Sequence, residues 1–391
     1  MNFNAGPAAL PLAALERAQK ELLDLGGTGM SVMEHSHRGK AYEAVHNEAI
    51  ALVKELYGVP DNYDILLLQG GASQQFAVVP MNLLPAGKSA DYILTGSWSQ
   101  KAYKEAKTIG TVRVAATTEK DKKFARIPKQ SELDLDANAA YAHITTNNTI
   151  FGSQWHDIPN TGNVPLVADM SSDIMWRPMD VSKFGLIYAG AQKNLGPSGL
   201  VLVIVRKDLV AAGRQDIPVI FQYRTHSREQ LALQHAAHVL RLRAAQRARR
   251  AEESGGLAAI EKINREKAKL LYDAIDSRSD IFSVPVEEGS RSAMNVVWTA
   301  VHAGARGRVP SRGQEARHGR PEGSPLGRRL PRLDLQRGPG RGSRGAVRAD
   351  RLVQEVVRIV RTGVSAEHTS RSNYAHQNAP GALSAAMSSP C

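Results

Sequence analysis

The chain has 391 residues, long enough for two domains and a large core, and 42% of them are apolar. No apolar run approaches the roughly eighteen residues of a helical membrane span, and the single cysteine, Cys391, excludes a disulfide framework or a cysteine metal site. A net charge of +12 spread evenly would point to nucleic acid, but twelve arginines, no lysine and four acids fall between Val301 and Asp350.

Residues 1–11 read as an extended Gly-Pro arm without a basic-then-apolar leader, which favours the cytoplasm. Leu12 to Leu25 reads as a helix ended by Gly26-Gly27, and Ser36-His37-Arg38-Gly39 as a loop. The next helix carries Tyr42, Val45, Ala49, Leu52, Val53 and Leu56 on one face before Gly58 and Pro60 stop it. Ile65 to Leu68 is a short buried strand, followed by Gln69-Gly70-Gly71-Ala72-Ser73 and a helix expected from Gln74 to Leu84. Strand, glycines and helix start leave backbone N–H groups free to cradle a phosphate. No Lys-Ser/Thr pair follows the glycines, so this is not a nucleotide P-loop. Tyr92 to Thr95 is the next strand, and Gly96-Ser-Trp98 leads into a helix with Trp98 at the rim where α/β sheets bind ligands. His143 to Thr149 is read as a strand ending in hydroxyls and amides.

Val164-Pro-Leu-Val-Ala-Asp169 is an apolar strand ending in a carboxylate. Twenty-four residues later, the strand Gly185 to Ala189 runs into a turn carrying Lys193 among small residues, and a further strand spans Leu200 to Val205. A partly shielded lysine loses charge through desolvation, and its neutral amine becomes a nucleophile suited to a Schiff base with an aldehyde such as pyridoxal 5'-phosphate (PLP). A carboxylate paired to the pyridine nitrogen keeps such a ring protonated as an electron sink. Strand-Asp169 and strand-Lys193 meet both needs. The alternation of strands and helices from 60 to 207 predicts a mostly parallel sheet covered on both faces. Glu261 to Tyr272 reads as a charged amphipathic helix, and Phe282 to Val286 and Met294 to Trp298 as strands of a smaller domain.

Three stretches carry a resemblance: Ala189-Gly-Ala-Gln-Lys193-Asn-Leu-Gly-Pro-Ser-Gly199, Asn4-Ala-Gly-Pro-Ala-Ala-Leu-Pro11 and Ser36-His-Arg38-Gly-Lys40. They resemble the phosphoserine aminotransferases, class V PLP-dependent enzymes, over roughly residues 1–226 and 252–299. The resemblance implies fold type I, an α/β large domain with a mostly parallel sheet plus a smaller C-terminal α/β domain. On this sequence that gives an arm at 1–11, a PLP-binding domain at 12–255, a small-domain remnant at 256–300 and an aberrant basic tail at 301–391. It further implies a homodimer that moves the amino group of L-glutamate to 3-phosphohydroxypyruvate, with the four-carbon analogue in pyridoxine synthesis as a second substrate. Lys193 and Asp169 are then the catalytic pair. Ala72, Ser73 and Gln192 hold the cofactor phosphate, Trp98 stacks on the ring, Thr149 bonds its 3′ oxygen, and Arg38, with His37 beside it, takes the substrate carboxylate. No metal, membrane or nucleic-acid partner is expected.

Two stretches depart from the family. Ser227-Arg-Glu-Gln-Leu-Ala-Leu-Gln-His-Ala-Ala-His238 can share its bases, one nucleotide out of register, with the family's Ser-Glu-Asn-Asn-Ser-Leu-Tyr-Asn-Thr-Pro-Pro-Thr. The run from Glu315 to Arg337 recodes in the same way to a phosphate-binding segment of the family. Residues 228 to about 250 and from about 300 onward are therefore read as frameshifted, and coding DNA incompatible with that recoding would overturn the reading. Three functions stay open on the sequence: an active transferase, a damaged product retaining at most PLP binding, and a basic nucleic-acid-binding protein.

Overall fold

The computed structural model describes residues 12–36, 38–229 and 255–300. The arm expected at 1–11, His37, the out-of-register segment beyond Glu229 and the tail from 301 lie outside the described residues. Helix α1 (Leu12–Leu23) stops two residues short of its expected end. Helix α2 (Lys40–Tyr57) buries Tyr42, Val45, Ala49, Leu52 and Val53 at the spacing of one helical face. Gly58 closes it in the left-handed region (φ 56°), where its N–H bonds the carbonyls of Lys54 and Glu55.

Seven strands form the central sheet: β1 (Tyr63–Gln69), β2 (Ser89–Leu94), β3 (Thr111–Thr117), β4 (Ala142–Thr145), β5 (Leu166–Asp169), β6 (Leu186–Gly190) and β7 (Leu200–Arg206). Their spatial order is β1-β7-β6-β5-β4-β2-β3. Strand β7 pairs antiparallel with both β1 and β6, while β6, β5, β4, β2 and β3 pair parallel with one another. Strand β7 is apolar almost throughout because both its faces are covered. Leu200, Leu202 and Ile204 pack in one cluster with Ala49, Leu52 and Val53 of α2 and with Leu257 and Ile260 of α7 (Gly256–Asp276). Val201, Val203 and Val205 pack on the other face with α3 (Ala72–Leu83), α4 (Ser97–Lys107), α5 (Lys207–Ala212) and Tyr223 of α6 (Tyr223–Glu229). Replacing Leu202, 1% exposed at the middle of β7, by alanine should cost about 2–5 kcal/mol in denaturant unfolding. A midpoint equal to the wild type's would contradict this account of the core.

Several sequence boundaries move. Helix α3 begins at Ala72, two residues before the expected Gln74, since Gly71 already serves as its N-cap. The strand expected over His143–Thr149 ends at Thr145. Thr146 N–H turns onto the Asp169 carbonyl (3.0 Å), and Asn147–Asn148 pair instead with Ser153–Gln154 in a separate ribbon. Strict alternation of strand and helix fails after α4: among the described residues no α-helix lies between β3 and β7. The face such helices would cover is filled by α2 and α7, which come from either side of that stretch. Met294 to Trp298 is not a strand. The Ser292 hydroxyl accepts from the N–H groups of Met294 and Asn295 (3.0 Å each), a local bond that competes with ladder pairing. The strand falls at Thr299–Ala300, opposite Phe282–Ser283. No described helix is long and apolar enough to cross a membrane.

Candidate active site

The carboxyl ends of β1, β2, β4, β5 and β6, together with the start of β7, meet at one edge of the sheet, where open α/β sheets bind ligands. A pocket of about 690 Å³, its open mouth included, is sunk there. Most of the lining residues sit just beyond a strand end. Gly70–Ser73 come after β1 and Trp98 after β2, Thr145 and Asn147 lie at the end of β4, and Asp169, Ser171 and Ser172 at the end of β5. Gly190–Lys193 follow β6, and Ser198–Leu200 lead into β7.

Lys193 and Asp169, 24 residues apart in sequence, line this one pocket because β5 and β6 are adjacent and parallel, with Asp169 opposite Tyr188. Burial pushes the Lys193 amine below the ordinary lysine range, against the opposing pull of Asp169 and Asp173. The amine makes no hydrogen bond or ion pair among the described residues and lies 5.2 Å from the centre of the Trp98 ring. Burial raises the Asp169 carboxyl, while two bonds from Ser171 and the charge of Lys193 work the other way. Its Oδ1 accepts from Ser171 N–H (2.9 Å) and from the Ser171 hydroxyl (2.5 Å).

The N-terminus of α3 opens onto the same pocket. Its N-cap Gly71 has no side chain to bond the first-turn N–H groups, and those of Ala72 and Ser73 have no helical carbonyl to reach. Gly190 brings β6 against this turn: a Cβ there would stand 3.1 Å from Ala72 N and 3.3 Å from Ala72 Cβ. Gln192 lines the pocket with an exposed side chain. Thr149 does not line it, but its Oγ1 accepts from Trp98 Nε1 (3.1 Å) and so orients the indole. Arg38 is exposed on its loop and outside the lining residues, its backbone N–H bonded to Ser36 Oγ (3.3 Å). His37 lies outside the described residues.

Sequence reasoning passed over three groups. Ser171 holds Asp169 in place, and its hydroxyl also accepts from Gly190 N–H (3.0 Å), tying β5 to β6. Thr145, opposite Asp169 in register, is 2% exposed and its buried hydroxyl has no partner among the described residues. Asp173 is a second buried carboxylate, whose burial raises it to about 6. Only the Asp-Met-Ser-Ser-Asp spacing hinted at Asp173. Among the described residues no group of His, Cys, Asp and Glu is placed to hold a metal ion.

The residues present fit PLP: uncapped helix N–H groups for a phosphate, an unpartnered amine for the aldehyde, a carboxylate for the ring nitrogen, an indole face, and an orphaned hydroxyl at Thr145. The aminotransferase class-V family matches residues 1–314. The chain is 54% identical over 306 residues to a phosphoserine aminotransferase of Geobacillus kaustophilus, covering 76% of this chain and 82% of that one. It superposes on the phosphoserine aminotransferase from Bacillus circulans subsp. alkalophilus with a TM-score of 0.73 at 50% identity, over 77% of this chain and 83% of the other. A PLP-bound phosphoserine aminotransferase from Trichomonas vaginalis aligns with the same TM-score of 0.73 at 37% identity, over 77% and 84% of the two chains.

Proposed function

We infer the function from one premise: the chain belongs to the class-V aminotransferase family. It uses PLP to transfer the amino group of L-glutamate to 3-phosphohydroxypyruvate, giving O-phospho-L-serine and 2-oxoglutarate. The observation that carries this reading is the meeting of Lys193 and Asp169 in one pocket beside an uncapped helix N-terminus, in a chain half identical to phosphoserine aminotransferases. A cytoplasmic homodimer is the assembly this reading carries with it.

PLP, when bound, supplies a conjugated acceptor for the electron pair left at the substrate Cα. The chain's own groups prepare for that. The Ala72 and Ser73 N–H groups and Gln192 hold a dianionic phosphate at the positive end of α3. Asp169, kept in one orientation by Ser171, holds a proton on the ring nitrogen. Trp98, oriented by Thr149, covers the ring face, a contact of the size of other aromatic pairs, about 0.5–1.5 kcal/mol beyond burial. Lys193, whose amine burial pushes below the ordinary lysine range, would take up the proton released from the substrate Cα and later give it back. Arg38 offers a planar fork for the α-carboxylate.

The test is purified full-length protein with PLP, L-glutamate and 3-phosphohydroxypyruvate, following 2-oxoglutarate. PLP-dependent release is the expected result. A protein that binds PLP yet forms no 2-oxoglutarate with this pair would overturn the substrate assignment.

A further inference from the structure

We propose that Asp173 is a positioning residue of this site, which locks the strand end carrying Asp169 to two other segments and adds a second negative charge beside Lys193. The inference rests on the PLP reading above. Asp173 lies in the turn after β5, 3% exposed, with its N–H on the Met170 carbonyl (3.1 Å). Its Oδ1 accepts from the Thr146 hydroxyl at 2.5 Å and its Oδ2 from Gln154 Nε2 at 3.0 Å. Thr146 is at the same time fastened to Asp169, whose carbonyl oxygen lies 3.0 Å from both the Thr146 N–H and its hydroxyl. Gln154 extends the chain of bonds outward, its Oε1 accepting from Ala293 N–H (2.9 Å). One carboxylate therefore joins the ends of β4 and β5 to the segment after α7.

Packing alone does not call for a charge here. Among the described residues Asp173 has no cation within ion-pair distance, so a buried carboxylate is kept at a desolvation cost that neutral residues would avoid. Its charge is felt where the chemistry is proposed. Lys193 in the turn after β6 is drawn toward its protonated form by Asp173 as well as by Asp169. The groups acting on Asp173 come from each element around it: Thr146 after β4, Gln154 in its ribbon, Asp169 and Arg177 on either side in sequence, and Lys193. Burial and Asp169 raise the carboxyl to about 6, while Thr146, Gln154 and Arg177 restrain the rise. Above that value it carries the negative charge that acts on Lys193.

The experiment measures PLP binding to the full chain by absorbance, the acid midpoint of the bound cofactor's visible band, and melting of the unliganded protein. Asp173→Asn removes the charge but keeps the shape: its oxygen can accept from Gln154, and its NH₂ can donate to the Thr146 hydroxyl, which turns its own proton to the Asp169 carbonyl. It should weaken PLP binding by about tenfold or more, the loss expected for a buried bond to a charged acceptor. It should also move the band's midpoint to lower pH, because a negative charge no longer favours the protonated form. Adding Gln154→Glu returns a charge nearby, its oxygens able to accept from the new amide and from Ala293 N–H, so affinity should recover. Thr146→Val keeps the carboxyl but cuts the tie, and should weaken binding; it serves also if Asp173→Asn fails to fold. Wild-type affinity and midpoint in Asp173→Asn, or wild-type affinity in Thr146→Val, would overturn the proposal. If the wild type itself binds no PLP, the function proposed above falls. Melting of unliganded Asp173→Asn at the wild-type temperature would then overturn the lock as well.

Discussion

Lys193→Ala should abolish the visible cofactor band and lower turnover by about 10³-fold or more, the range of a lost nucleophile and proton carrier, while the protein melts no lower than the wild type. The separation of activity from stability follows from what the amine touches. It makes no hydrogen bond or ion pair among the described residues, and its charged form is held in a pocket where burial disfavours it. Truncation therefore leaves no hydrogen-bonding group without its partner. It does remove a charge that steadies Asp169, which limits any gain in melting temperature. Absorbance at saturating PLP, steady-state kinetics and thermal melting on one preparation check all three parts. Turnover within tenfold of the wild type would remove Lys193 from the chemistry.

The pairing of Lys193 with Asp169 was legible because each is the first ionisable group after an apolar strand, and adjacent parallel strands bring such ends together. The glycine cup was legible for a similar reason: Gly70-Gly71 between a strand and a helix start puts no capping side chain on the first-turn N–H groups. What could not be read depends on pairings between distant segments. Asp173 becomes a buried, bonded carboxylate only once Thr146 and Gln154 arrive from 27 and 19 residues away. Met294 to Trp298 has the apolar alternation of a strand, but the Ser292 hydroxyl takes the N–H groups of Met294 and Asn295, and alternation says nothing of that competitor. Arg38 was assigned by resemblance rather than by pattern, and its loop stands exposed, outside the residues that line the pocket.

The register change read in the sequence has a counterpart in the comparisons. The family match stops at residue 314, and alignment leaves part of both partners unmatched, covering 76% of this chain and 82% of the Geobacillus kaustophilus protein. A segment simply appended to a whole relative would leave that relative covered in full. Replacement of its residues by unrelated ones leaves gaps on both sides, as a shifted frame does. The pocket groups discussed above all lie before residue 230, upstream of the larger change.

Asp169→Asn should have opposite effects on cofactor binding and on the stability of the unliganded protein. The amide oxygen can still accept from Ser171 N–H and Oγ, so the turn keeps its shape and the change is one of charge. Without the carboxylate the ring nitrogen loses a charge-assisted bond, about 1.5–3 kcal/mol, or roughly 10- to 150-fold in PLP affinity, and turnover should fall further because an unprotonated ring is a poor electron sink. Stability runs the other way. Burial raises the native Asp169 carboxyl above its ordinary value even with Ser171 and Lys193 opposing, so at neutral pH the ionised group weakens the fold. As pH falls through the raised value the native state takes up a proton before the unfolded state does, and that penalty is relieved. Unliganded Asp169→Asn should therefore melt above the wild type at pH 7, with the gap closing as the buffer is made acidic. A variant that melts below the wild type at neutral pH while binding PLP normally would show that Asp169 serves the fold rather than the cofactor.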